Sequence, residues 1–285
     1  MIGGIDSRTI VLSSLALLCF AANSILCRLA VAFDRIDAAS FTTLRIAGAA
    51  ALLTIVVLFQ KRQIPRLSQT NPWSVAALFC YQIFFSFAYL RLNAASGALI
   101  VVTASHLTMF IAGFAMEERF SKWQWTGLAF AVLGFLYFLL PGATAPDIIG
   151  AILMCLSGIG FGVFSLLARG NTDAVEVNAA TLIVCFLPAL AINLVQHEEL
   201  KMSLDGLLLA IASGALATGI GYILWYIALR QLPAARAATL QLAMPILVAL
   251  MGVSILAEPL TTRLLICTVL VLGGTALVLG HTRRS

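Results

Sequence analysis

The sequence predicts an all-α, polytopic membrane protein with ten transmembrane helices built as two inverted five-helix repeats. Of the 285 residues, 61% are hydrophobic and 10% are charged, whereas a typical soluble domain has about 25% charged residues. The mean hydropathy is +1.04. Apolar runs of about 20 residues, the length that crosses a bilayer as a helix, recur along the chain. In addition, several short stretches of the first half recur in the second half.

Ten apolar runs are each long enough to cross a bilayer. We expect helices, because backbone in hydrocarbon must satisfy its own hydrogen bonds and the alternating pattern of a membrane β-barrel is missing. The first run is longer than the apolar core of a cleavable signal peptide and leads into further apolar segments, so we expect a span there. The predicted spans are 9–32, 38–59, 72–91, 93–116, 123–140, 147–169, 174–195, 205–230, 233–256 and 260–280.

The net charge of +5 is unevenly distributed over the predicted loops. If the N-terminus is cytoplasmic, the positive-inside rule is obeyed and both termini lie inside. Orientation in a lipid bilayer therefore explains the excess of Lys and Arg, and binding to nucleic acid is not needed to explain it. The six cysteines show no CxxC spacing and are read as small buried hydrophobes. The predicted cytoplasmic cations are Arg8, Lys61, Arg62, Arg66, Arg119, Lys122, Arg169, Arg230, Arg236, Arg283 and Arg284, and the outer ones are Arg35, Arg91, Lys201 and Arg263.

Two stretches of the first half recur at a nearly constant offset. "FAANSILCR" at 20–28 matches "FGVFSLLAR" at 161–169, and "AYLRLNAASGAL" at 88–99 matches "ALRQLPAARAAT" at 228–239. A third match pairs Glu118 with Glu258. Each repeat, 1–142 and 143–285, would hold five spans, and an odd number of spans inverts the second copy. Secondary transporters share this plan and bind substrate near the bilayer midplane between the halves.

Residues one turn deeper than Arg28 in the first span and Arg169 in the sixth span are candidate binding positions. We expect Arg28 and its repeat equivalent Arg169 to snorkel toward the membrane surface from equivalent helix ends. The positions one turn deeper would then face the central cavity. The two serines among them could instead bond back to their own helix backbone. These four candidates are Asn23, Ser24, Phe164 and Ser165.

The third and eighth spans carry matching faces of aromatic and polar residues. Spacings of four, three and four residues place each set on one helical face, which suits a flat apolar solute with polar ends. Aromatic rings near span ends could instead pack between helices or form interfacial belts, and we expect this for Tyr89, Tyr226, Trp73, Trp123 and Trp125. The matching pairs are Leu78/Thr218, Gln82/Tyr222, Phe85/Trp225 and Tyr89/Leu229, with Tyr81 and Tyr226 at the margins. The binding candidates are Tyr81, Gln82, Phe85, Tyr222 and Trp225.

Three further candidates lie in the fourth and ninth spans. His106 is the one histidine inside a predicted span, and an imidazole there either marks the pathway or bonds to a neighbouring helix. Gln241 precedes Pro245 by four residues. Because proline frees a backbone carbonyl one turn earlier, substrate could meet this carbonyl and the Gln241 amide. A kink satisfied by neighbouring helices is the alternative.

Two other features of the spans have competing interpretations. Arg45 in the second span could contact a substrate carboxylate or act as a gate, or it could bond to carbonyls or to Asp34 or Asp37. "SGIGFG" at 157–162 lies inside a span and lacks the spacing of a nucleotide-binding loop. We therefore expect its small residues to let helices approach closely.

The chain resembles the drug/metabolite transporter superfamily in its EamA-type repeats. The resemblance rests on the two copies that close on "EERFS" and "AEPLT" and on Arg45 in "FTTLRIAGAALL", and it covers essentially the whole chain. It implies a ten-helix exporter of amino acids or related metabolites in the bacterial inner (cytoplasmic) membrane, most similar to the aromatic amino acid exporters. Ser105 stands where the second copy has Pro245. A helix break is therefore expected in the ninth span and not in the fourth.

The distribution of acidic residues suggests how transport is driven. All of them fall in predicted loops or at span ends, which leaves no carboxylate at the midplane for a proton relay. We expect facilitative export by alternating access, by a monomer without catalytic residues, cofactor or metal. Export of threonine, homoserine or cysteine, drug efflux and proton coupling are alternatives. A membrane enzyme would need clustered groups, but His106, His197 and His281 are far apart. A signalling protein would not require two inverted copies.

Overall fold

The protein is a nearly all-helical bundle in which the predicted spans appear as helices. The computed structural model describes residues 6–116, 120–168, 173–195, 200–232 and 234–280. In the first half, a short 3-10 turn at Leu67–Gln69 precedes the third helix. The helices of this half are α1 (Ser7–Val31), α2 (Ala38–Lys61), α3 (Pro72–Ala88), α4 (Ala94–Ala115) and α5 (Lys122–Leu139).

The second half repeats this order, but two of its spans are irregular. The eighth span consists of α8, a π-helical segment and α9, and the ninth consists of α10 and α11. The elements are α6 (Ile148–Leu167), α7 (Ala174–Val195), α8 (Leu204–Ile211), the π segment (Ala212–Ile220), α9 (Gly221–Leu229), α10 (Ala234–Gln241), α11 (Met244–Leu256) and α12 (Thr262–Gly280).

Membrane-spanning length and apolarity are evident in most of these elements. Within the described ranges, eight helices are long and apolar enough to cross a bilayer. Helix α3 has 17 residues and is shorter than this group, and α5 has 18 residues but a polar first turn. The fold is therefore an all-α polytopic membrane protein, while the number of ten crossings stays a prediction.

Several helices begin at residues whose side chains act as N-caps. The Asp37 carboxylate accepts the Ser40 backbone N–H at 2.8 Å, and Asn71 caps α3 just before Pro72. Ser121 and Gln124 form a reciprocal capping box at the start of α5. Such caps satisfy backbone donors that have no partner inside the helix.

Small residues set the closest helix contacts, as expected for 157–162. A Cβ at Gly158 would lie 2.7 Å from the Val101 carbonyl oxygen of α4, and one at Gly160 would lie 2.7 Å from the Ala77 carbonyl oxygen of α3. Helix α6 therefore packs against both α3 and α4 with backbones in contact. The eighth span, in turn, packs against α1 and α2.

Helices α2 and α7 form a seam that is bonded at both ends. At one end, the Asn193 amide donates to the Thr43 hydroxyl, which also approaches the Ala189 carbonyl at 3.1 Å. At the other end, Lys61 pairs with both Asp173 and Glu176. Buried apolar residues of both helices share one cluster between these ends.

The ninth span is broken where the sequence predicts a break. Helix α10 ends at Gln241, and α11 begins at Met244 with Pro245 in its first turn. Helix α4 continues without interruption through Ser105, so both parts of the expectation are confirmed. The π segment was not predicted, because no proline marks it.

Two sequence interpretations need correction. Arg28 does not extend freely toward a membrane surface but forms an ion pair with Glu258, and Tyr226, expected to pack between helices or in an interfacial belt, lines a cavity. Two other interpretations are confirmed in one of their alternatives: Tyr89 is fully buried in helix packing, and Arg45 bonds to a carbonyl, that of Gln82, at 2.7 Å. Arg45 forms no ion pair with Asp34 or Asp37, because Lys201 holds Asp34 and Asp37 caps α2. Predictions for Glu118, Arg119, Arg169, His197, His281, Arg283 and Arg284 lie outside the described residues.

Candidate transport site

A cavity of about 610 Å³, the main cavity, lies inside the bundle and reaches one of its ends. Its lining includes Ala168, Ala174 and Leu229, at the end where α6 and α9 finish and α7 begins. The volume falls within the range of small-molecule sites, about 300–1,000 Å³. The lining includes aromatic rings and hydrogen-bonding groups: Phe110, Phe120, Phe161, Phe164, Tyr222, Trp225 and Tyr226, with Thr103, His106, Gln124, Ser165, Gln241 and Thr275.

A smaller space of about 60 Å³, the inner chamber, continues from the main cavity toward the middle of the bundle. The two spaces share four lining residues and so form one compartment. The inner chamber is also lined by Asn23, Tyr81, Phe85 and Thr218. The shared residues are His106, Phe161, Tyr222 and Gln241.

Aromatic rings from both halves of the chain meet in this compartment. Phe20 lies edge-on to Tyr222, with ring centroids 5.6 Å apart, and to Trp225 at 6.2 Å. Across the compartment, Tyr81 and Phe161 are 5.1 Å apart. These separations are typical of favourable aromatic pairs, so the walls hold each other in place while presenting ring faces and edges inward.

Among the polar side chains of the compartment, His106 has unused hydrogen-bonding capacity. The ring nitrogens of His106 make no hydrogen bond in the described part of the chain, apart from an approach to the Val102 carbonyl that falls short of hydrogen-bond geometry. Asn23 is bonded, since its side-chain oxygen accepts the Ser213 hydroxyl at 2.5 Å. A buried polar group without a partner is costly, so His106 is positioned to receive one from a solute or water.

The family is decided by comparison with known sequences. A model of the EamA-like transporter family matches residues 7–140 and again residues 148–280. The chain belongs to the EamA-like transporter family. It is therefore a multi-pass membrane transporter, and the family makes a small-molecule substrate its expected cargo.

The transporter has relatives in bacteria and archaea. It is 42% identical over 275 residues to the uncharacterized protein PA1977 of Pseudomonas aeruginosa, covering 96% of this chain and 95% of the relative. It is 26% identical over 256 residues to an uncharacterized transporter of Archaeoglobus fulgidus, covering 84% and 87%. A solved crystal structure of a protein matches with a TM-score of 0.68 and 20% identity, covering 99% of this chain and 100% of the other. At that identity the match supports the fold alone.

Nine of the twelve residues proposed from the sequence line the transporter's compartment. The exceptions are Ser24, Gln82 and Pro245, which are buried but line neither space. Ser165 reaches the main cavity while also bonding back to the Phe161 carbonyl at 2.7 Å. The nine lining residues are Asn23, Tyr81, Phe85, His106, Phe164, Ser165, Tyr222, Trp225 and Gln241.

Three prominent lining residues were missed as site candidates. Phe20 and Phe161 are repeat equivalents, and this match at the start of the repeated motif was a usable signal. Tyr226 was expected to pack between helices or to lie in an interfacial belt, because it is near a span end. Its ring is stacked on Tyr222 with centroids 5.8 Å apart, and its hydroxyl lies 3.4 Å from the Asn178 amide nitrogen.

The opposite end of the transporter is closed by an apolar plug and an ion pair. Ala21, Ile25, Ala98 and Val248 form a buried cluster between α1, α4 and α11. Beyond this plug, Arg28 and Glu258 are joined at 3.1 Å. A separate vestibule of about 280 Å³, lined in part by Arg91, Asn93, Asp147 and Glu258, lies at this end. In the part of the chain that the structure describes, the compartment thus reaches one end of the bundle and is closed toward the other. In the described ranges, no cluster of His, Cys, Asp or Glu could hold a metal ion.

Proposed function

We propose that this transporter exports aromatic amino acids or related flat metabolites across the bacterial inner membrane by alternating access. The observation that carries the proposal is the main cavity, whose deep wall combines rings such as Tyr222 and Trp225 with the hydrogen-bonding groups of His106 and Gln241. A flat apolar solute gains from stacking and edge contacts with such rings, while isolated polar groups fix its polar ends.

The predicted orientation makes the main cavity accessible from the cytoplasm. Positive loops on the side of residues 61–66 favour a cytoplasmic position for that end, and the cavity reaches the same end. The described conformation then corresponds to the loading state of an exporter. Release would require the plug and the ion pair at the outer end to separate.

Two inverted repeats, 1–142 and 143–285, provide the symmetry that alternating access needs. The two matches to the family model support this division. The proposed repeat makes the first and sixth spans equivalent, and likewise the third and eighth spans. The packing of α3 on α6 then corresponds to the packing of α9, in the eighth span, on α1, and both contacts occur. An exchange of conformation between the halves would close one end while opening the other.

We propose that transport is facilitative. No carboxylate is among the described residues that line the compartment, and His106 is the one histidine there. Proton-coupled carriers usually pass protons along chains of carboxylate and histidine side chains. Export down the gradient of a cytoplasmic metabolite requires no relay.

The test is solute flux in proteoliposomes that contain the purified transporter. Counterflow of labelled L-tryptophan and L-phenylalanine should exceed that of L-threonine, homoserine and L-cysteine. Trp225→Ala should raise the KM for L-tryptophan by about tenfold, because an aromatic pair and its buried area contribute about 1–2 kcal/mol.

Trp73→Ala is the matched control, since Trp73 is 75% exposed on the bundle surface. It should leave the KM unchanged. Equal flux by Trp225→Ala and Trp73→Ala, at equal protein level, would remove Trp225 from the site. Preferential flux of threonine or of a cationic drug would replace the proposed substrate class.

A further inference from the structure

Arg45 is a buried cation whose charge the described residues do not balance. Its side chain is fully buried, and its one hydrogen bond runs from Nη2 to the Gln82 carbonyl at 2.7 Å. Among the described residues, Nε and Nη1 have no partner. Burying a cation with two unpartnered nitrogens, which carry three N–H donors, inside a membrane bundle is expensive. An anion that arrives during the transport cycle would offset this cost.

The described carboxylates near the start of α2 are already engaged elsewhere. Asp34 binds the Lys201 ammonium at 2.7 Å, and Asp37 caps α2. The remaining ion pairs join residues at the helix ends, and none includes Arg45. The guanidinium instead lies over two rings, with its carbon 4.9 Å from the Phe85 centroid and 5.7 Å from the Phe41 centroid.

Phe85 separates this guanidinium from the inner chamber. Its ring contacts Arg45 and also lines the chamber together with Tyr81. The chamber volume of about 60 Å³ is enough for several water molecules, at about 10–15 Å³ each by the same measure, and thus for a carboxylate. The Gln82 amide nitrogen, next to the carbonyl that Arg45 binds, also has no partner among the described residues.

We infer that Arg45 is the carboxylate-binding group of the transport site, reached from the inner chamber when the Phe85 ring turns aside. This inference rests on the proposed function and narrows it. The solute's carboxylate enters the inner chamber, while its aromatic body stays among the rings of the main cavity. Arginine suits this role because it stays charged, stacks on aromatic rings and donates several hydrogen bonds to carboxylates. The transporter would therefore require a carboxylate on its substrate.

The inference is tested by comparing solutes that differ only in the carboxylate. Purified transporter in liposomes is assayed for counterflow of labelled L-phenylalanine and, separately, of labelled L-phenylalaninamide. Wild-type protein should move the acid at least about tenfold faster than the amide, the effect of losing one hydrogen bond to a charged group. Arg45→Gln should lower acid flux to the amide level and leave amide flux unchanged, and Arg45→Lys should retain part of the preference.

Arg263→Gln is the matched control. Arg263 also donates to backbone carbonyls, those of Tyr137 and Leu140, and stacks on a ring at 5.2 Å, but it lies away from the compartment. If Arg45 only ties α2 to α3, Arg45→Gln will behave as Arg263→Gln does and change acid and amide flux by the same factor. That result overturns the inference.

Competition on wild-type protein gives an answer that does not depend on folding of a variant. 3-Phenylpropanoate should compete with L-phenylalanine, and 2-phenylethylamine should compete at least about tenfold less well. Equal competition by the amine refutes the role of Arg45 but leaves aromatic export standing. Absence of flux for every aromatic solute refutes the proposed function, and the inference with it.

Discussion

The ion pair between Arg28 and Glu258 should hold its end of the transporter closed, which is the outer end in the proposed orientation. Arg28 Nε donates to Glu258 at 3.1 Å and Nη1 donates to the Tyr89 carbonyl at 2.7 Å. The second Glu258 oxygen accepts the Ala94 backbone N–H at 2.7 Å. These bonds join α1, the end of α3, the start of α4 and the segment after α11. Opening this end must break them, so weakening them should favour the open state.

Glu258→Gln removes the charge while keeping the shape and an acceptor for Ala94. The two side chains are 18% and 13% exposed, so water screens the pair only partly. A hydrogen bond to a charged group contributes about 1.5–3 kcal/mol. Losing about 2 kcal/mol from the closed state shifts the equilibrium toward the open state by about 30-fold.

The shift can be measured with a reporter thiol beneath the ion pair. Ser24 lies one turn from Arg28 on α1 and is fully buried. In a background without the six native cysteines, Ser24→Cys should react slowly with a membrane-impermeant maleimide added outside. Glu258→Gln should raise that rate by about 30-fold, in line with the population shift.

Asp34→Asn is the matched control for this experiment. It breaks an ion pair with Lys201 at the same end, but the side chains there are 73% and 62% exposed. Exposed pairs contribute about 0–1 kcal/mol, so the labelling rate should change little. Equal rates for Glu258→Gln and Asp34→Asn would refute the reasoning that this pair is the closing contact.

Three further predictions concern packing, coupling and the seam. Gly214→Ala should lower the unfolding free energy by about 1–3 kcal/mol, because its Cβ would lie 2.9 Å from the Arg45 Cα. The control Gly273→Ala should not lower the melting temperature, because its Cβ would meet nothing within 4 Å beyond its chain neighbours and its own helix backbone. His106→Ala should leave flux independent of an imposed pH gradient, as in wild type; uphill flux in wild type that His106→Ala alone abolishes would contradict facilitative transport. Lys61→Met should destabilise the protein by about 1–3 kcal/mol, measured by thermal unfolding, because it leaves the buried Glu176 carboxylate without its ammonium partner.

Helix positions and the break at Pro245 were predictable from the sequence, because they depend on local properties. Bilayer length and apolarity locate the spans, and proline marks the break between Gln241 and Met244. The Arg28 ion pair was not predictable in the same way. Its partner Glu258 is 230 positions away, and only the folded bundle brings the two helix ends together.

The lining of the compartment was predicted in part, because the sequence determines which face of a helix lines it only to within about one residue. Tyr81 and Phe85 point to the inner chamber. Gln82 lies about 100° around the axis of α3 from Tyr81, and its carbonyl accepts a hydrogen bond from Arg45 on α2. In the eighth span, the π segment at Ala212–Ile220 changes the helical periodicity, so a simple 3.6-residue face does not apply there.

The seam between α2 and α7 has a mechanical consequence. Polar bonds fasten these two helices near one membrane surface through Asn193 and near the other through Lys61. A pair fastened at both ends cannot spread at either surface without losing one set of bonds. We therefore expect this pair to be the pivot of the proposed alternating-access motion, about which the rest of each half moves. Cross-linking α2 to α7 should then leave turnover intact, whereas cross-linking α1 to α11 should arrest it.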